Sequence, residues 1–334
     1  MKGTHAPGAA APAPELELPL ARPIPNVVFV GGTGRSGTHI VAQLLGRSHN
    51  LAMIPVEVRF HTDADGFPGL LAGEVPLERF VRKLRGYWWK GFQTRRFRGM
   101  FRFVDRERFD AAVSAFERSF PDEREEACRR LFFDLLWFRT ETEPTIRGLV
   151  EQSCDTVAQA PTLLRLFGRS RFIHVVRDGR DASASRVSQT RGLIQPRTRA
   201  EGLEWWEGRL ARLEAGAKSI PAERLLTVSL DELLLTGGGE TLRPLMHFSG
   251  TRATPRVRYF YGRRMNRERA NSERWRRGLS ERKAARLLEQ YEAALDRLEA
   301  GGARSIPLLR RTLERTRGGA AGEPPQPYIY DGPT

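Results

Sequence analysis

The chain has 334 residues, 40% of them apolar, which is enough for a substantial core and excludes a wholly disordered protein. Lys and Arg number 55 against 40 Asp and Glu, a net charge of +15, favouring a polyanionic partner (nucleic acid, anionic lipid or a phosphorylated small molecule) without choosing among them. No run approaches the roughly 18 apolar residues of a membrane span, and Cys128 and Cys154, the two cysteines, give neither a disulfide framework nor a zinc spacing, so both are expected as reduced thiols.

Residues 1–25, rich in Pro and Ala and without periodicity, read as a flexible leader. The continuous apolar stretch of about 7–15 residues in a secretory signal is missing there, so a cytoplasmic location is expected. Short β-rich runs then alternate with helical patterns: "VVFV" at 27–30, "IRGLVEQ" at 146–152, "RFIHVV" at 171–176 and "RLLTVSL" at 224–230. That alternation predicts one α/β domain over 26–317, a P-loop-like three-layer fold with a central parallel sheet flanked by helices and ligands beyond the carboxyl ends of the strands. A helical insertion from about 60 to 140 is expected to cap the sheet's edge. It is clearest in "PDEREEACRRLFFDLLWF", where Pro121 suits a first helical turn and acids precede bases. "SERKAARLLEQYEAALDRLEA" at 280–300 predicts a closing amphipathic helix with Ser280 as N-cap. Residues 318–334 read as a flexible tail.

The chemistry concentrates where "VVFV" meets "GGTGRSGT". Gly32 and Gly37 stand at the glycine positions of the phosphate loop G-x-x-x-x-G-K-[ST], but Thr38 replaces the lysine and His39 the magnesium-binding hydroxyl. The backbone N–H cradle survives in Gly34, Arg35, Ser36, Gly37 and Thr38 at a helix N-terminus that favours anions. Such a cradle suits a group of lower charge than a terminal phosphate, for example a sulfuryl group, with Arg35 supplying charge and directional donors. No metal ligand set is apparent. A second anion site is predicted in "RFIHVVRDGRDASASRVSQ", where Arg177 falls at the sheet's carboxyl edge and Ser185, eight residues on, lies about two helical turns along. His174, inside the apolar strand, reads as a core residue.

Together "GGTGRSGT" and "VVRDGRDASASRV" resemble the two signature segments of the sulfotransferase superfamily, which uses 3′-phosphoadenosine 5′-phosphosulfate (PAPS) and releases adenosine 3′,5′-bisphosphate. Within it the protein-tyrosine sulfotransferases are the closest echo, sharing G-G-x-x-R-S-G-T, R-L-F and V-R-D-G-R. The resemblance covers roughly 27–60, 146–190 and 270–276 and is silent on the cap. It implies that Arg35, with Gly34, Ser36, Gly37 and Thr38, binds the 5′-phosphosulfate, and that Arg177 and Ser185 bind the ribose 3′-phosphate; His39, adjoining the cradle, is expected to touch phosphate unless the helical phase turns it away. It implies Glu57 of "VEVR" as the catalytic base, taking the proton of a hydroxyl acceptor. "SERWRRGLS" resembles a third donor-binding segment, with Arg274 as a late phosphate contact. The family's transition-state lysine falls at Gln152, which carries no charge.

The implied partner is a hydroxyl-bearing acceptor of unknown class, with no nucleic acid, no transmembrane segment and a homodimer left open. Two alternatives stand beside this. One is a small-molecule kinase with a degenerate P-loop. The other is a basic nucleic-acid-binding protein, favoured by the net charge and by "YWWKGFQTRRFRGMFRF" at 87–103, where aromatics interleave with bases, a stretch that reads equally as a wall of the acceptor pocket or a membrane-surface face.

Overall fold

The computed structural model describes residues 26–91, 99–137, 143–190, 194–235, 242–266, 273–318 and 328–332. The leader expected at 1–25 lies outside the described residues, as do the middle of the basic aromatic stretch and most of the expected tail.

Six strands form one sheet: β1 (Asn26–Gly32), β2 (Leu51–Met53), β3 (Gly148–Glu151), β4 (Arg171–Val176), β5 (Leu225–Ser229) and β6 (Tyr328–Ile329). Their spatial order is β2-β3-β1-β4-β5-β6. The first five are parallel and β6 runs antiparallel to β5. The four runs read from the sequence are the four central strands, as apolar runs buried on both faces must be. Alternate residues of β1 serve opposite faces: Val27 and Phe29 join one cluster, Val28 and Val30 the other.

The helices are α1 (Thr38–Leu45), α2 (Phe67–Ala72), α3 (Leu77–Lys83), α4 (Arg106–Ser119), α5 (Arg124–Leu136), α6 (Ala160–Leu166), α7 (Gly179–Thr190), α8 (Arg199–Ala217), α9 (Leu230–Leu235), α10 (Leu242–Phe248), α11 (Pro255–Arg264), α12 (Glu281–Ala300) and α13 (Ile306–Gly318). On one face α1 and α9–α11 pack against Ile173, Val175, Leu226 and Val228. A third cluster ties α7 and α8 to α12 and α13 around Trp206, Trp275 and Tyr291.

Three details differ from expectation. The helical insertion lies on the sheet's other face rather than at its edge, because Phe132 packs edge-on against Phe29 of β1 and Phe60 packs on Phe132. Pro121 sits in the turn between α4 and α5, three residues before α5 begins at Arg124. Tyr328–Ile329, inside the expected tail, adds strand β6, where Tyr328 is buried and pairs with Val228. Ser280 does stand at the N-cap of α12, although its side chain makes no capping hydrogen bond. No helix among the described residues is long and apolar enough to cross a membrane.

Candidate functional site

Parallel pairing puts the carboxyl ends of β1, β3, β4 and β5 on one side, and the segments leaving them meet there. The loop after β1 reverses sharply through Gly34 (φ 81°), Arg35 (φ 63°) and Gly37 (φ 93°) before α1 starts at Thr38. Glycine is favoured at position 37 on two counts. Its backbone is left-handed, and a Cβ there would lie 2.5 Å from Leu230 Cδ2 at the start of α9. Gly73 supplies a control, since it has φ 79° with nothing within 4 Å of a built Cβ. Gly73→Ala should therefore cost only the backbone strain, about 1–3 kcal/mol, while Gly37→Ala should cost that plus the clash. Urea midpoints of the two variants measure the difference, and equal midpoints would mean that the loop yields freely.

Around this loop the sequence brings together an unusual concentration of guanidinium groups. Arg35 Nε donates to Ser185 Oγ at 2.9 Å, and Arg177 Nη1 donates to the carbonyl of Arg35 at 3.1 Å. Arg274 Nη2 reaches Ser188 Oγ at 3.0 Å on the same helix as Ser185. Burial, and then the positive charges of Arg177, Arg274 and Arg186, hold the Arg35 guanidinium below the ordinary arginine range, with only Cys154 pulling the other way. Like charges crowded in this way mark a candidate functional site. Ser36 Oγ, inside the loop, is buried and has no hydrogen-bond partner among the described residues. Arg177 also faces the buried Asp231 at 3.7 Å, which leaves Asp181 to other partners. The predicted loop arginine and the predicted Arg177/Ser185 pair thus form one contiguous site, since Arg35 rests on Ser185. His39 is different: it lies exposed on the outer side of α1, bonded to Gln43 at 3.0 Å.

Opposite the cluster, the residues after β3 hold the 57–61 loop. Glu151 is fully buried and accepts from His61 Nε2 (2.9 Å), from Ser153 Oγ (2.7 Å) and from the Ser153 N–H at 3.0 Å on each oxygen. Ser153 Oγ in turn accepts the N–H of Arg59, which is left-handed at φ 60°. Cys154 Sγ lies 3.7 Å from Glu57 Oε1 and close to Gly34, so it bridges the two loops. Water reaches Glu57, yet protein crowds it. Desolvation raises its carboxyl above the usual range, opposed mainly by Arg59 and reinforced by Glu151. Gln152 is buried, and its Oε1 has no partner among the described residues.

Several residues here gave no signal in the sequence. Trp205 of α8 stands over Gly34, with the guanidinium groups of Arg186 and Arg209 at 5.5 and 5.9 Å from its ring. Arg209 Nε ties α8 to the carbonyl of Thr33 at 2.7 Å. The non-glycine residues with left-handed backbone among the described residues are Arg35, Arg59 and Glu273, and all three sit in this region. Such strain collects where a functional geometry is over-determined by its surroundings.

The family model of the sulfotransferase family matches residues 25–255. Among solved structures, the sulfotransferase domain from the olefin synthase of Synechococcus PCC 7002 is 15% identical, with TM-score 0.45 over 82% of this chain and 96% of that one. Sulfotransferase STF9 from Mycobacterium avium is 17% identical, with TM-score 0.43 over 83% of this chain and 78% of that one. No curated protein matches the sequence.

Proposed function

The chain belongs to the sulfotransferase family, and from that premise we propose that it moves the sulfuryl group of PAPS onto a hydroxyl acceptor by in-line displacement. The observation that carries the choice of donor is the crowding of Arg35, Arg177, Arg186 and Arg274 around one glycine loop. A donor with phosphate at both the 5′ and 3′ positions fits two anion subsites that share a wall. The orphaned Ser36 hydroxyl faces the same need for an acceptor. PAPS, when bound, supplies the sulfuryl group and a phosphate leaving group; the rest is the work of the chain. Glu57 removes the acceptor's proton. Arg35 and the N–H groups of residues 34–38 stabilise the negative charge that develops on the leaving phosphate. Arg177, Ser185 and Arg274 hold the ribose 3′-phosphate. With Gln152 at the place of the family lysine, Arg35 carries the cationic share at the reacting end.

The test is a ligand ranking by thermal shift. Adenosine 3′,5′-bisphosphate at about a hundredfold excess over its Kd should add roughly 2.7 kcal/mol to the stability of the folded state. Mg·ATP at the same concentration should raise Tm much less. A larger shift with Mg·ATP would replace this function with the kinase alternative.

A further inference from the structure

Each carboxylate oxygen of Asp181 accepts one backbone N–H from far along the chain. Oδ2 takes that of Glu273, 92 residues on, and Oδ1 that of Trp275, 94 residues on, both at 3.0 Å. Asp181 is buried in the first turn of α7. Between the two clipped N–H groups stands Arg274, whose guanidinium reaches Ser188, one turn beyond the Ser185 that Arg35 holds. The neighbours of Arg274 are fixed on both sides. Glu273 is kept left-handed at φ 58°, and Trp275 is buried with its ring 4.5 Å from the Arg180 guanidinium.

We propose that Asp181 is a positioning residue: its carboxylate clips the 273–275 backbone to α7 and so holds Arg274 against the anion site, an inference that rests on the donor reading above for the identity of the anion. An ionised carboxylate accepts on both oxygens. A protonated one presents a hydroxyl to an N–H on one side and loses that bond. The clip is therefore sensitive to pH. Burial, then the charge of Asp178, push Asp181 up to about 7, with Asp231 adding to the rise and Arg177 and the Trp275 N–H opposing it. The other charged groups facing it are Arg180 on α7 itself and Arg199 from α8. Tyr291 of α12 packs on Arg180 at 4.9 Å. The sign follows directly. The clip forms as the pH rises through about 7 and is lost as the pH falls through it.

Calorimetric titration with adenosine 3′,5′-bisphosphate between pH 8 and pH 6 tests this with wild type, Asp181→Asn, Arg274→Ala and the double variant. At pH 8 each single variant should bind about tenfold more weakly, the size of one charge-assisted phosphate contact, and the double variant no more weakly than Arg274→Ala. The affinity ratio of wild type to Arg274→Ala should shrink toward one as the pH falls to 6, and it should shrink more than the ratio of wild type to Arg177→Ala, which protonation of the ligand phosphate lowers as well. Additive losses, or a ratio that shrinks no more than that for Arg177→Ala, would overturn the clip. If Asp181→Asn fails to fold, the ratio alone decides. A wild type that binds no bisphosphate at any pH would overturn the donor reading and the clip together, whereas good binding without that extra shrinkage removes the clip alone.

Discussion

Arg35→Ala should lower turnover by about 10²–10³, the usual cost of removing one preorganised donor from a developing oxyanion, while leaving the unliganded protein as stable as before or slightly more so. The second half of that expectation separates a functional arginine from a structural one. Alanine keeps a Cβ at φ 63°, so the backbone strain of the loop is unchanged. The carbonyl that accepts from Arg177 also remains. What disappears is the bond to Ser185 and one of several mutually repelling cations, and without a bound anion that repulsion opposes folding. Affinity for adenosine 3′,5′-bisphosphate should fall as well, because Ser185 loses the group that orients it. Arg35→Lys should recover only part of the rate, since an ammonium cannot place two planar donors. A variant with a lower Tm and undiminished turnover would show Arg35 to be part of the scaffold.

Legibility in the sequence followed the range of the interactions. The four central strands were readable because an apolar run buried on both faces declares itself locally. β2 and β6 were not, since three and two residues carry no period and exist only through pairing with Gly148–Val150 and with Thr227–Val228. Helical character was plain in the insertion, but its seat on the sheet face depends on Phe132 meeting Phe29, a coincidence across 103 positions.

The site divides the same way. The loop and the eight-residue step from Arg177 to Ser185 are fixed by local spacing, and the sequence placed both residues on one edge. The contact of Arg35 with Ser185 spans 150 residues, that of Cys154 with Glu57 spans 97, and Asp181 reaches 92 and 94 residues ahead. No periodicity encodes such pairs. Trp205 was equally hidden, because in "EWWEGRL" nothing distinguishes it from the buried Trp206 beside it. Glu57 was singled out only through resemblance.

Glu57→Gln should reduce turnover by about 10²–10⁴, the contribution of general-base catalysis, with adenosine 3′,5′-bisphosphate bound as in the wild type. Glutamine keeps the shape and can hydrogen-bond, but cannot take the acceptor's proton at neutral pH. The environment makes the substitution unusually clean. Because folding raises the Glu57 carboxyl above its unfolded value, chiefly by desolvation, the ionised form opposes folding, and a neutral amide should not lower Tm at pH 7. The same shift fixes a pH signature. Wild-type turnover should be present where Glu57 is ionised and fall as the pH drops through its raised value, an acid limb displaced upward from the ordinary carboxylate range. That limb should be absent from the residual activity of Glu57→Gln. Glu151, a carboxylate close enough to raise Glu57, offers no substitute: it is fully buried and already accepts from His61 and Ser153. His39 is turned to the surface beside Gln43. Near-native turnover in Glu57→Gln on a hydroxyl acceptor would remove Glu57 as the base. Loss of bisphosphate binding, with a lowered Tm, would instead make Glu57 a strut of the loop that Cys154 and Ser153 hold.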